Sequence, residues 1–438
     1  MLKKLLINFY RKKNEAPHEN MLIGIDDTDS KRGMCTTYLG TVLKKALERE
    51  LSENVELRLV RLNPTIRFKT RGNASICVSI KHSYDVLDIV GKHIERMAHL
   101  DDEGTHPGAV FFDDEIAPPD IRSFANDAMH AELSICKATA LIEKYGLDFL
   151  SFKNGRGLIG ALAAIGATLG AESTYELIAY RFEDKFSEKR YINAHSVRRA
   201  DLTTYPYTWD TVDRKNNAIV FAPHSSDPIL YGIRGEDPHQ MLTAHSKIIS
   251  EPFEYLTLYR TNQGTDAHVR RAQIRDFKEG CSYIVTVTVI SEPYTIAGGH
   301  TFVRVKDESD SLLCVAFEPT KQFRATVRNL RFGDEVTVQG SYVENCLHLE
   351  KLQIVELSDQ YKRENPICCN KSMKSLGRGQ GFRCVRCKTV EKASHRSQGP
   401  EKRAVATGAY EVTPSARRHL AAPLIRRRNR GYALFPSR

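Results

Sequence analysis

The chain has 438 residues, 41% of them hydrophobic and 27% charged, and carries a net charge of +10. That length exceeds one compact domain and suits about three, and the composition is that of chains that fold in water. No apolar run is long enough to span a bilayer, and the opening MLKKLLINFYRKK lacks the uninterrupted apolar region and cleavage site of a secretion signal, so a cytoplasmic protein with no membrane partner is expected.

Residues 1–20 read as a loose, disordered leader, with folding expected to start near Met21. MLIGIDD is a short apolar run ending in paired aspartates, which predicts a buried strand that delivers carboxylates at its C-terminal end. A helix from Thr36 to Leu51, a strand at ASICVSI and a helix over Ile121 to Tyr145 complete an α/β unit at 21–146. GRGLIGALAAIGATLG then predicts a helix whose small residues allow close packing, followed by a strand at TYELIAYRF and a turn-rich stretch from Tyr191 to Asp237, an α+β unit at 147–265.

From Cys281 to Leu357 five short strands follow: YIVTVTVI, TFVRVKD, LLCVAFE, EVTVQGSYV and LHLEKLQIVEL. A helix is expected only over Thr320 to Leu330, between the third and fourth, which is the plan of an OB-fold barrel at 275–358. Any small interaction barrel is the alternative. A cysteine module at 365–390 and a low-complexity basic tail at 391–438 end the chain.

Nineteen lysines and arginines against four glutamates fall between Tyr361 and Arg438, so that stretch carries +15 and the rest −5. A basic extension on a slightly acidic body suggests a polyanion partner; a solvated tail accounts for the composition equally well. Of ten cysteines, six lie singly and four cluster between Cys368 and Cys387, the usage of a reducing compartment.

The densest polar cluster is IDDTDSKRGMCTTYLG. Adjacent Asp26 and Asp27 at a strand end suit Mg²⁺ and nucleotide phosphates. Asp29, Arg32, Gly33 and Thr36 follow, with Thr36 at a helix start that favours anions. There is no Walker A sequence. An Asp-rich turn capping the helix is the bland reading. RLNPTIRFKTRGNAS supplies Lys69, Arg71 and Gly72 as further phosphate contacts, or as ordinary solvated surface. Cys35 could serve as a nucleophile or simply as a buried thiol. Cys384 and Cys387 form a CxxC knuckle, whereas Cys368 and Cys369 are adjacent, so the four suit a Zn²⁺ ribbon with an irregular first half, with His395 as a substitute ligand.

The strings IGIDDTDS, RGMCTTYLG, RLNPTI, KTRGN, GLIGALAAIG, TYELIAYR, LYGIRGE and ARRHL resemble the archaeal agmatidine synthetases, over about Met21 to Arg426. The resemblance implies a multidomain α+β chain: a kinase-like catalytic domain, a ferredoxin-like domain, an OB-fold and a zinc ribbon. It implies ATP-dependent ligation of agmatine to C2 of the wobble cytidine in the CAU-anticodon isoleucine tRNA, through a phosphorylated cytidine. Asp26 and Asp27 are then expected at Mg²⁺ and the phosphates, and Thr36 as the autophosphorylated residue. Glu172 and Glu176, at the ends of ESTYE, are candidate partners of the agmatine guanidinium, or surface acids. A non-catalytic single-strand binder leaves IDDTDSKRGMCTT unexplained, and a related ligase using another amine is the nearer alternative.

Overall fold

The computed structural model describes residues 7–10, 20–70, 72–81, 86–377, 379–392, 397–400, 402–427 and 431–438. A ten-stranded sheet runs in the order Ile7–Tyr10, Phe149–Phe152, Gly108–Phe112, Met21–Asp26, Ala74–Ile80, Glu56–Arg61, Tyr255–Thr261, Thr174–Tyr180, Ile229–Gly235 and Thr208–Trp209. Neighbours are antiparallel except at one seam, where Arg58 and Leu59 pair in parallel with Arg260 and Thr261. The seam joins strands from the two segments expected as separate units. Ile7–Tyr10 falls in the expected leader, yet pairs with Phe149–Phe152 as an edge strand. The remainder of the leader expectation, at 1–6 and 11–19, lies outside the described residues.

Met21–Asp26 is buried along its length because both faces are covered. Ile23 and Ile25 pack with Leu39, Leu43 and Leu47 of the helix Thr36–Leu51. Leu22 packs on the other face with Leu158, Ala161 and Leu162 of the helix Gly157–Gly166. This explains why the strand reads as a continuous apolar run rather than an alternating one. The second helix comes unusually close: a Cβ placed on Gly24 would sit 1.9 Å from the Ala161 carbonyl oxygen.

The single helix expected over Ile121 to Tyr145 is two helices, Pro119–His130 and Ile135–Tyr145. Ala131 is extended, and the Ser134 hydroxyl accepts the Lys137 N–H at 3.4 Å, which starts the second helix afresh. Helical content alone does not reveal that cap.

The five expected strands close into a barrel. Cys281–Val289 pairs with Thr301–Lys306 and Glu335–Val343, Thr301–Lys306 with Ser311–Ala316, and Cys346–Glu356 with both Glu335–Val343 and, in parallel, Ser311–Ala316. The helix Phe323–Arg328 lies between the third and fourth strands, as the sequence pattern predicts.

The tail departs from the expected low-complexity extension. Gly408–Glu411 adds an antiparallel strand to Cys346–Glu356, and Val412, Leu420, Ala421 and Leu424 are buried. Its arginines meet acids of the body: Arg417 contacts Asp210, Arg426 reaches Glu236 at 2.7 Å and Arg427 contacts Asp266. Burial alone would raise Asp266, but Lys351 and Arg427 hold its carboxyl down to about 2. This segment straps the barrel to the first sheet.

Replacing Gly24 by Ala should therefore cost roughly 3 kcal/mol or more, because the new methyl meets backbone that cannot swing away. Gly170→Ala, where nothing lies within 4 Å, should change stability by less than about 0.5 kcal/mol. Urea unfolding of the two variants checks the difference.

Candidate active site

Asp26 ends the central strand, and the chain then turns at Asp27, whose φ is 59°. The helix Gly157–Gly166 lies directly on the Asp26 carboxylate, and a Cβ on Gly160 would stand 1.7 Å from Asp26 Oδ2. Burial first, then the neighbouring charge of Asp27, push the Asp26 carboxyl well above the usual range. Asp27 accepts a two-pronged bond from Arg156, Nε at 2.8 Å and Nη2 at 2.9 Å. Burial outweighs that guanidinium and leaves the Asp27 carboxyl at about 6.

Two residues further on, Asp29 Oδ1 accepts from the Thr36 backbone N–H at 2.5 Å and from the Thr36 hydroxyl at 2.9 Å. Asp29 thus caps the helix Thr36–Leu51, whose adjoining Cys35 makes no side-chain capping bond. Thr28 donates to Thr36 Oγ1 at 3.0 Å. The Thr36 hydroxyl is buried and already directed at a carboxylate, the arrangement that activates a hydroxyl for phosphoryl chemistry. One carboxylate oxygen both caps the helix and holds the hydroxyl, so the capping reading of this aspartate does not exclude a phosphate role.

These groups line one cavity of about 400 Å³. Asp26, Asp27, Asp29, Thr36, Lys69 and Gly72 all reach it. Phe68, Leu133, Ile135 and Ile159 form an apolar wall suited to a planar base. The break between the two helices at 131–134 is what brings Leu133 and Glu132 to this wall.

Other expected contacts stand apart. Arg32 is on the surface, pairing with Asp101 at 2.5 Å, and neither Arg32 nor Gly33 lines the cavity. Arg71 lies outside the described residues. Glu172 is exposed. Glu176 is buried, 3.6 Å from Arg61 and 3.4 Å from Arg234, and accepts from Gln263. The two glutamates of ESTYE therefore do not share a pocket. Arg156 escaped the sequence reading; the only local signal is an arginine between two glycines, in GRG, at the start of an apolar helix.

The four module cysteines converge, with all sulfurs within 4.8 Å of one another. Cys368 lies 3.9 Å from Cys369 and 3.4 Å from Cys387. A tetrahedral site with Zn–S bonds of about 2.3 Å needs sulfurs about 3.8 Å apart, so this donor set fits zinc. The adjacent pair succeeds because Cys369 and Asn370 both adopt left-handed φ, 51° and 57°, which folds the second thiol back beside the first. His395, the other expected ligand, lies outside the described residues. Among the described residues no helix is long and apolar enough to cross a membrane.

Because Asp26 and Asp27 bind protons more tightly folded than unfolded, the ligand-free protein should lose stability as pH rises above about 4, for Asp27 until about 6 and for Asp26 beyond it, by up to about 1.4 kcal/mol per pH unit per group. Asp26→Asn removes the larger part of that loss. Its melting temperature should exceed that of the wild type at neutral pH and converge with it below about pH 4, which thermal melts across pH check.

Three family models match in chain order: the TiaS TCKD domain at 22–154, the TiaS FLD domain at 155–268 and the TiaS C-terminal zinc ribbon domain at 365–404. A Methanosarcina acetivorans protein, named TiaS and described as a 2-agmatinylcytidine synthetase of an isoleucine tRNA, is 46% identical over 430 residues, 95% of this chain and 100% of the relative. A crystal structure of TiaS in complex with its isoleucine tRNA and ATP has a TM-score of 0.86 and 44% identity, and one of TiaS with that tRNA, AMPCPP and agmatine 0.84 and 41%; each covers 95% of this chain and 100% of its own. On these matches along its length, the chain belongs to the TiaS family of 2-agmatinylcytidine synthetases, named for their isoleucine tRNA.

Proposed function

We propose that this chain joins agmatine to C2 of the wobble cytidine of the CAU-anticodon isoleucine tRNA at the expense of ATP, so that the tRNA reads AUA. The observation that carries the reading is the gathering of Asp26, Asp27 and the Thr36–Asp29 pair around one cavity, in a chain that matches such synthetases along 95% of its length. In this reading 21–146 is a kinase-like unit, 147–265 a ferredoxin-like unit and 275–358 an RNA-facing OB-fold.

The chemistry needs a leaving group. The C2 carbonyl of cytosine is a poor electrophile; phosphorylating its oxygen lets the amine add at C2 and the oxygen depart as phosphate, while the amine gives up a proton. The polyphosphate lies toward Asp26 and Asp27, with its base against Phe68, Leu133 and Ile135. A Mg²⁺ ion bound there would neutralise phosphate charge. The raised carboxyl of Asp26 fits such an ion, since without a cation its ionised form is disfavoured by burial and by Asp27. Asp29 takes the hydrogen bond of the Thr36 hydroxyl and so prepares it to accept a phosphoryl group. Arg156 fixes Asp27 and is itself anchored on the Gly104 carbonyl at 2.6 Å.

Incubation with ATP, Mg²⁺, agmatine and the unmodified tRNA, followed by mass spectrometry of the wobble nucleoside, should reveal an agmatine adduct that Asp26→Ala abolishes. ATP consumption without adduct would remove the amine or the tRNA from the reading. Label from γ-labelled ATP should enter the protein and disappear in Thr36→Ala. Arg156→Lys keeps the charge but loses the two-pronged bond, and should lower kcat about 10- to 100-fold with little change in KM for the tRNA.

A further inference from the structure

Beside the nucleotide cavity lies a second, of about 310 Å³, which shares Leu62, Lys69, Gly72 and Asn73 with it. Arg418, His419 and Leu420 of the strap form its far wall. The two differ in sign. Asp26, Asp27, Asp29 and Glu132 line the first, whereas among the described residues no carboxylate lines the second.

The basic walls are built rather than incidental. Arg61 ends the strand Glu56–Arg61 and is largely buried, with Nη2 3.6 Å from Glu176 and a buried Nε that has no hydrogen-bond partner. Arg418 is held in place by Ser341 at 2.6 Å and Glu350 at 3.3 Å, both from the barrel. His419 Nδ1 lies 2.6 Å from Arg234 Nη2 and 3.0 Å from Gln263 Oε1; the guanidinium can only donate, and this shorter contact favours the tautomer with the ring proton on Nε2. Burial and the charges of Arg61 and Arg234 keep that ring neutral, so it offers an N–H without added charge. A Cβ on Gly72 would come 2.8 Å from Arg61 Nη1 and 3.3 Å from His419 Nε2, so the loop between the cavities passes with no side chain to fill the space.

We infer that this basic cavity is an anion subsite that takes a backbone phosphate of the RNA beside the target nucleotide, held by Arg61, Lys69, Arg418 and the His419 Nε2–H. The inference rests on the ligase reading above. A base brought to the ATP phosphates carries its own backbone phosphate with it, and the two cavities share a wall. Arg61, Lys69 and Arg418 converge on a wall with no carboxylate in its lining, and cations gathered at low dielectric favour the entry of an anion. Free pyrophosphate has the same chemistry, and the test separates the two sources.

With full-length protein and unmodified tRNA, Arg418→Gln should raise KM for the tRNA about tenfold, leave KM for ATP within about twofold, and reduce the salt dependence of tRNA binding by about one phosphate contact. Arg418→Lys should recover most of the affinity. Should Arg418→Gln fold poorly, Pro64→Glu places a negative charge in the same wall and should weaken tRNA binding alone. Inorganic pyrophosphate should compete with the tRNA and inhibit Arg418→Gln less. An unchanged tRNA KM and salt slope, or equal losses for ATP and tRNA, would overturn the inference, as would pyrophosphate inhibition that needs Arg418 while tRNA binding does not. Wild-type protein that forms no adduct but binds tRNA through Arg418 would remove the ligase reading and leave the subsite standing.

Discussion

The helix Gly157–Gly166 rests on the strand Met21–Asp26 at backbone distance, and the groups around the nucleotide cavity inherit their positions from that contact. Gly24 faces the Ala161 carbonyl and Gly160 faces the Asp26 carboxylate, with no side chain between. The helix also starts at the residue after Arg156, so its placement aims the guanidinium at Asp27. Its apolar side chains exclude water from the strand end, and that desolvation is the largest influence on both carboxyls. In the proposed reading, carboxylates ionised where the fold disfavours charge are under strain that a bound cation would relieve.

Charge is distributed with similar economy. The tail that dominates the net charge does not simply hang in solvent; Arg417, Arg426 and Arg427 meet Asp210, Glu236 and Asp266, which follow strands of the ten-stranded sheet. Such pairs, of which Arg417–Asp210 is buried at both side chains, contribute modestly to stability once desolvation is counted, but they fix one arrangement of the two bodies, because a shifted register would strand charges without partners. The result is an acidic cavity and a basic one on either side of a shared wall.

Local motifs were the legible part. Asp26, Asp27 and Thr36 lie within a dozen residues of one another, and the sequence alone places them at a strand end and a helix start. Arg156 was not legible, because its partner Asp27 is 129 positions away and only the fold joins them. Arg32 misled for the converse reason: it sits inside the motif, but the turn after Asp27 carries it outward to Asp101. Alternation announced the five barrel strands, whereas the parallel seam at Arg58 and Arg260 depends on two segments far apart in sequence. The adjacent cysteines looked irregular because a pair of left-handed residues, which spacing does not reveal, brings them together. The buried apolar residues of the tail were hidden by the arginines around them.

The strap also imposes an order on how the molecule comes into being. The nucleotide cavity is assembled from residues 26–160, which emerge early from a ribosome, while the neighbouring wall waits for Arg418, His419 and Leu420, among the last to be made. A chain cut before Arg418 would lack the surface beside the nucleotide cavity.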